Sequence, residues 1–214
     1  MGKFFGLDSP LTAFLSKMVD LVILNVVAIL CCIPVVTIGA AMTALYDVVA
    51  RLQEDEGRLI SAYFRAFKSN FKQATVLWLL FFVVGVLLLF GIDFYSVVAV
   101  SARQVLMILT MMLFFLWAAA LAWVFPLQSR FENTVSGTLR NAFGFAVAYL
   151  PRSICMTLLN LLPWILLVFM TGVFLMTSIF WIIIGIALTT YTNLLLIKKP
   201  FTVQIAKSQD ETTE

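Results

Sequence analysis

Four apolar stretches, each about as long as a membrane-spanning helix, constrain the fold of this chain more than any other feature. A helix needs about 20 apolar residues to cross the hydrocarbon core of a bilayer. Because lipid cannot satisfy the hydrogen bonds of the backbone, such stretches must form helices rather than open strands or loops. We expect a membrane span in each of them, over residues 74–92, 104–125, 153–175 and 177–197.

The composition leaves too much apolar surface for a soluble domain. Of the 214 residues, 63% are hydrophobic and 12% are charged, whereas soluble domains average about 45–50% apolar and about 25% charged residues. The surplus of apolar side chains must face lipid. The sequence therefore predicts an all-α, polytopic membrane helical bundle, organised as a single integral membrane domain over residues 1–214.

The N-terminal apolar region holds too many apolar residues for one spanning helix and barely enough for two. Pro34 lacks a backbone N–H and clashes with the preceding helical turn, and Gly39 supplies backbone freedom nearby. One interpretation is a hairpin, with helices over residues 12–33 and 38–52 and an outer turn at Pro34, Thr37 and Gly39. The alternative is a single long kinked helix, which gives five spans instead of six.

The placement of Lys and Arg favours the hairpin, because these residues concentrate in the cytoplasmic segments of membrane proteins. With six spans both termini lie inside, together with every Lys and Arg except Arg103. With five spans the N-terminus moves outside, and Lys3 and Lys17 join Arg103 there. We therefore expect six membrane segments with both termini inside. The second segment is short, and the sequence leaves open whether it crosses fully or is re-entrant.

Two further segments have the pattern of amphipathic helices that lie at the membrane interface. Apolar side chains recur at helical spacing in residues 58–73, and residues 134–150 repeat the plan. The plainer interpretation of residues 58–73 is a cytoplasmic loop that is rich in Lys and Arg, as such loops usually are. The functional interpretation is a basic face that binds a partner or anionic lipid. That face consists of Arg58, Arg65, Lys68 and Lys72.

Five polar side chains lie deep enough in the predicted spans to form an intramembrane site. Polar groups are costly at membrane depth and are therefore candidates for function, although hydrogen bonding between helices is their commonest role. No acidic residue lies near the middle of a predicted span, which argues against a proton relay built on carboxylates. The candidate residues are Asn25, Tyr46, Asn160, Tyr191 and Asn193.

The sequence supports no catalytic, metal or cofactor site. It contains no histidine and no Cys-x-x-Cys spacing, so zinc ligation, haem ligation and a Ser-His-Asp triad have almost no basis. We expect Cys31 and Cys32 to be packing residues. The chain also lacks a nucleotide-binding glycine loop and, away from the membrane, a basic and aromatic patch for nucleic acid. We therefore expect a protein that is not an enzyme.

Five segments of the chain have distinctive sequences: FFGLDSPLTAFLSKMVDLVILN, CCIPVVTIGAAMTALYDVV, RLQEDEG, YFRAFKSNFKQA and TLRNAF. Together they resemble the YesL-like family, which consists of small bacterial membrane proteins of unknown function. The resemblance is strongest over residues 4–75 and weaker around residues 125–145. Its most specific part is the pattern Cys-x-Pro-x-x-Thr-x-Gly, which begins at Cys32.

The resemblance implies a multi-pass protein of the bacterial cell membrane. Genes of YesL-like proteins often neighbour genes for carbohydrate ABC transporters and glycan-degrading enzymes, which implies an accessory role in sugar uptake or its regulation. The implied partners are permease subunits of such transporters, besides membrane lipids, and no binding residue is assigned. Two alternatives stay open, namely a small homo-oligomeric transporter and a structural protein that interacts with lipid.

Overall fold

The computed structural model describes residues 10–53, 59–97, 103–131 and 133–211, and nearly all of them are helical. A 3-10 turn, Val35–Thr37, separates the first two helices, and a π-helical segment, Trp181–Gly185, joins the last two. The described part of the chain contains eight α-helices: α1 (Pro10–Cys32), α2 (Ile38–Gln53), α3 (Leu59–Val97), α4 (Arg103–Arg130), α5 (Val135–Ala148), α6 (Leu150–Phe169), α7 (Thr171–Phe180) and α8 (Ile186–Glu211).

Six helical segments among the described residues are long and apolar enough to cross a membrane, which confirms the prediction of six rather than five. The side chains exposed around the bundle include many of Val, Leu, Ile, Phe and Met, as expected of surfaces that face lipid. The chain is therefore an all-helical, polytopic membrane protein. The six segments are Phe14–Cys32, Val35–Leu52, Leu59–Tyr95, Arg103–Arg130, Leu150–Phe169 and Thr171–Lys198.

The break between α1 and α2 is built around Pro34 and Thr37. The Thr37 hydroxyl donates a hydrogen bond that is shared between the carbonyl oxygens of Cys31 (2.6 Å) and Pro34 (2.7 Å). The Thr37 backbone N–H also donates to the Pro34 carbonyl oxygen, at 3.0 Å. Carbonyls at the end of a helix lack partners within it, so Thr37 supplies a partner for the Cys31 carbonyl at the end of α1.

Helix α2 is the most buried of the six membrane segments and lies at the centre of the bundle. Most of its residues between Ala40 and Leu52 are buried, and it packs against α1, α3, α4 and α8. Its 16 residues rise about 24 Å, less than the roughly 30 Å of a hydrocarbon core. Because neighbouring helices surround α2, contact with protein rather than with lipid accounts for its short apolar length.

Close packing of α3 on α2 depends on Gly39. This residue lies in the first turn of α2 rather than in the preceding turn, where the sequence placed it. A β-carbon at position 39 would overlap the Ala74 carbonyl oxygen and lie 2.6 Å from Cβ of Trp78. The Trp78 indole N–H donates to the Val35 carbonyl oxygen at 2.7 Å. Helix α3 is thereby fixed both to α2 and to the turn before it.

Helix α3 is one continuous helix, whereas the sequence predicted an interfacial helix over 58–73 and a separate span over 74–92. No glycine or proline interrupts it before Gly85, and its 39 residues rise about 58 Å. The predicted apolar face is also divided. Of the apolar side chains at helical spacing in residues 58–73, Tyr63 is buried in the core, whereas Ile60, Phe64 and Phe71 are exposed.

The second predicted interfacial segment, over 134–150, corresponds to the separate helix α5. Its N-terminus is capped by Thr134, whose hydroxyl oxygen accepts the backbone N–H of Gly137 at 3.1 Å. Such caps are typical of helix starts. The helix packs mainly against α4, and its buried residues are Thr138, Ala142 and Ala146.

The last two spans are divided at Met170, between α6 and α7, and not after residue 175 as the sequence predicted. The backbone of Met170 leaves the helical region, with φ −138° and ψ 55°. Thr171 and Gly172 follow, and both are weaker helix formers than the Leu residues around them. The final span, Thr171–Lys198, is consequently longer than predicted.

Candidate functional site

Asn193 lies at the centre of a hydrogen-bonded cluster that joins α2, α6 and α8. Its side-chain Nδ2 donates to the Tyr46 hydroxyl oxygen (2.9 Å) and to Asn160 Oδ1 (3.0 Å). Asn193 is 0% exposed and Tyr46 is 2% exposed, whereas Asn160 is partly exposed. The sequence identifies all three as candidates, and the structure brings them together; we call them the Asn193 cluster.

Asn25 belongs to the same predicted site but lies elsewhere, against the π-helical segment. Its Nδ2 donates to the carbonyl oxygens of Ile182 (2.7 Å) and Trp181 (3.2 Å), and its Oδ1 accepts the backbone N–H of Ala187 (2.9 Å). A π-helical turn interrupts the regular i→i−4 hydrogen bonds of an α-helix. Asn25 therefore satisfies backbone groups on both sides of this interruption.

Tyr191, the fifth predicted residue, is partly buried and packs against the apolar core. It precedes Asn193 by two positions in α8. Side chains two positions apart on a helix do not share a face. Tyr191 is therefore not on the face of α8 that carries Asn193.

Each member of the Asn193 cluster follows a buried threonine by three positions. The spacing Thr-x-x-Tyr or Thr-x-x-Asn is visible in the sequence and recurs in three spans. Residues three apart share a helix face, so the threonines extend the polar surface by one turn. The Thr190 hydroxyl donates to the Ile186 carbonyl oxygen at 2.9 Å. The three pairs are Thr43–Tyr46, Thr157–Asn160 and Thr190–Asn193.

A second polar network joins α3, α4 and α5, and the sequence did not predict it. Gln128 Nε2 donates to Asn70 Oδ1 (3.3 Å), and the Thr138 hydroxyl donates to Gln128 Oε1 (3.1 Å). Gln73 donates from Nε2 to the Asn133 carbonyl oxygen. Gln128 and Thr138 are buried. The only signal for these residues in the sequence is their position at the polar ends of apolar stretches.

Three members of the predicted basic face form a row on α3. Arg65, Lys68 and Lys72 are all exposed, and spacings of three and four positions place them along one side of the helix. Within the described ranges none of the three forms an ion pair. Arg58, the fourth predicted member, lies outside the described residues. We call Arg65, Lys68 and Lys72 the basic row.

The described residues contain no group of three or more His, Cys, Asp or Glu side chains that could hold a metal ion. The three cysteines are free thiols; Cys31 and Cys32 are partly buried at the end of α1, and Cys155 is exposed on α6. The polar features of this part of the chain are therefore neutral hydrogen-bonding clusters inside the bundle and charged side chains on its surface.

The family described as "Protein of unknown function, DUF624" matches residues 21–92 of the chain. The match covers part of α1, all of α2 and most of α3. It overlaps residues 4–75, where the resemblance to the YesL-like family is strongest, and it is consistent with that family. No curated protein matches the sequence, and no solved structure matches the fold. The region that this chain shares with a known family therefore runs through the Pro34 turn, the central helix α2 and the basic row.

Proposed function

We propose that this chain is a non-enzymatic accessory protein of the bacterial cell membrane that binds permease subunits of a carbohydrate transporter. The observation that carries this proposal is the basic row, in which three cations lie exposed along one side of α3. The choice of carbohydrate transporters rests on the resemblance to the YesL-like family. The proposed binding surface lies within the family-matched residues 21–92.

The basic row suits recognition of an acidic surface on a partner. Within the described residues its charges are not used in ion pairs that stabilise the fold. Complementary charges across an interface mainly confer specificity and a fast encounter. Asn70, between Lys68 and Lys72, bonds Gln128 of α4. This part of α3 is therefore already ordered before a partner binds. Binding would lose little conformational entropy here, whereas binding by a mobile segment is weakened by that loss.

The packed interior supports a scaffold rather than a transport path inside one chain. Trp123 is fully buried, and its ring centroid lies 5.2 Å from that of Phe145 and 6.4 Å from that of Phe201. Its indole N–H donates to the Ser153 hydroxyl oxygen at 2.8 Å. Large aromatic side chains thus fill the space between α4, α5, α6 and α8. Such packing favours a bundle of fixed shape.

A pull-down of the tagged protein from its native membrane in mild detergent tests this function. We expect permease subunits in stoichiometric amounts with the unmodified protein and their loss with Arg65→Glu/Lys68→Glu. The matched control is Arg140→Glu/Lys198→Glu, which reverses two exposed charges on α5 and α8. We expect this control to retain the subunits.

Three outcomes would contradict the proposed function. Recovery of the unmodified protein without permease subunits would exclude a stable complex. An equal loss of subunits in both variants would show that net charge, and not the basic row, attracts the partner. Recovery of anionic lipid without permease subunits, with less lipid bound when the basic row is reversed in charge, would favour the lipid-interacting alternative.

A further inference from the structure

We propose that the Asn193 cluster is a buried hydration site, in which a water molecule bridges Asn193 Oδ1 and the Tyr46 hydroxyl. This site lies in the interior of the bundle, between α2, α6 and α8, and does not involve the basic row. It is therefore independent of the proposed function. Its experiment and the pull-down fail or succeed separately.

The first reason is the hydrogen-bond inventory of Asn193. An asparagine side chain has two N–H donors and a carbonyl oxygen that accepts two hydrogen bonds. Both donors of Asn193 are used, on Tyr46 and Asn160. Its Oδ1 is buried and has no partner among the described residues. A buried acceptor without a partner is costly, and buried polar groups in proteins nearly always have one.

The second reason is that a free donor lies next to this acceptor. The Tyr46 oxygen accepts from Asn193 at 2.9 Å, so the phenolic O–H remains available to donate. Water both donates and accepts, and one molecule can therefore satisfy Asn193 Oδ1 and the Tyr46 O–H together. The cluster has no ionised member, and the nearby Asp47 is paired with Arg51 at 3.0 Å. A neutral occupant fits this chemistry.

The third reason is the pair of threonines that flank the cluster. Thr43 and Thr157 are 0% and 2% exposed, and neither hydroxyl has a partner among the described residues. Each hydroxyl lies one helical turn from the cluster and can both donate and accept a hydrogen bond. Buried waters typically make about three hydrogen bonds to groups of this kind.

X-ray radiolytic footprinting of the full-length protein in lipid nanodiscs and ¹⁸O-labelled water tests the site. Hydroxyl radicals that form from bound water oxidise the side chains next to it. The comparison is between two buried tyrosines, Tyr46 and Tyr63, which are 2% and 0% exposed. The Tyr63 hydroxyl already donates to the Ala41 carbonyl oxygen at 3.1 Å. We expect ¹⁸O incorporation at Tyr46 to be several-fold faster than at Tyr63, and equal rates would overturn the proposal.

The variant Asn193→Leu locates the water. It replaces the amide by an apolar group with the same number of heavy atoms, and we expect the Tyr46 rate to fall to that of Tyr63. A rise at Tyr63 would show that the variant is not folded. Thr157→Val, which removes only a hydroxyl, then takes its place and should lower the Tyr46 rate in part. An unchanged Tyr46 rate in the folded variant would overturn the proposal, because the oxidising water would lie elsewhere.

Discussion

Asn25 of α1 donates a hydrogen bond to the carbonyl oxygen of Ile182 at 2.7 Å, and this contact supports the π-helical segment of the last span. One extra residue in a helical turn rotates everything after it by about 100° relative to an uninterrupted α-helix. Asn193 lies after the segment and bonds Tyr46 in the structure. The contact made by Asn25 therefore helps to set which face of α8 meets α2 and α6.

Replacing Asn25 by Leu should destabilise the bundle. The variant leaves the carbonyl of Ile182 and the N–H of Ala187 without the partner that they have in the structure. Buried backbone groups without partners cost about 1–3 kcal/mol. We expect a loss of that size in the free energy of unfolding, measured by titration with SDS in mixed micelles.

Deletion of Ile183 supplies the matched background for this variant. The deletion removes one residue from the π-helical segment and restores regular α-helical hydrogen bonds. Asn25→Leu should then cost much less than it does in the full-length chain, because the backbone groups find partners within the helix. Equal costs in the two backgrounds would show that Asn25 stabilises something other than the π-helical segment.

Gly39→Ala and Gly144→Ala should change stability in opposite directions. At position 39 the new methyl group meets the Ala74 carbonyl oxygen and Cβ of Trp78, and overpacking of this kind costs about 1–3 kcal/mol. At position 144, within α5, no heavy atom of another group lies within 4 Å of the new methyl. There the better helix propensity of Ala should stabilise by about 0.5–1 kcal/mol.

The melting temperatures of the two glycine variants in one detergent decide this prediction. A lower value for Gly39→Ala and a higher value for Gly144→Ala would agree with it. If Gly39→Ala were as stable as the unmodified protein, α2 and α3 would not be in close contact at this point.

Thr37→Val should weaken the turn between α1 and α2, whereas Thr37→Ser should not. The valine keeps the shape of the side chain but removes the hydroxyl that bonds Cys31 and Pro34. A hydrogen bond of this kind contributes about 0.5–1.5 kcal/mol. Denaturation of both variants in SDS measures the difference. Equal losses for Val and Ser would assign the effect to packing and not to the hydroxyl.

Labelling of single cysteines from either side of the membrane should establish the orientation of the bundle. We expect Lys68→Cys and Arg140→Cys to react with a membrane-impermeant maleimide only in inverted vesicles, and Arg103→Cys only in intact cells. The reason is the preference of Lys and Arg for the cytoplasmic side. All three positions are exposed. The background must lack the natural thiols Cys31, Cys32 and Cys155.

Reaction of Lys68→Cys and Arg103→Cys from the same side would contradict the six-span orientation. It would mean that α3 does not cross the membrane between these two positions. Reaction of all three from the opposite sides to those expected would keep the six spans and reverse the orientation.

The number of spans could be predicted because each rests on local properties of the chain. Length and apolar character mark the long spans, and Pro34 marks a break that no continuous helix tolerates well. The continuity of α3 could not be predicted, because the local pattern of residues 58–73 does not show which side chains another helix covers. The helical spacing of the apolar side chains of residues 58–73 was assigned to a lipid surface, but Tyr63 is buried and donates to Ala41 of α2.

The intramembrane contacts could not be predicted because they depend on helices far apart in the chain. Asn25 and Ile182 are separated by 157 positions, and Tyr46 and Asn193 by 147. The stretch around Ile182 is uniformly apolar and is typical of an ordinary α-helix. The hydrogen bonds from Asn25 distinguish the π-helical segment from an ordinary α-helix. Polarity and depth identify such residues as candidates, but partners follow from the packing of the whole bundle.

The central position of α2 determines the order in which the protein can be assembled. The ribosome releases α2 before α3, α4 and α8, three of the helices that surround it in the finished bundle. Until α8 is synthesised, Tyr46 has no access to Asn193, its hydrogen-bond partner. The newly inserted α1–α2 hairpin must therefore wait in the membrane, with Thr43 and Tyr46 uncovered, for helices still to be translated.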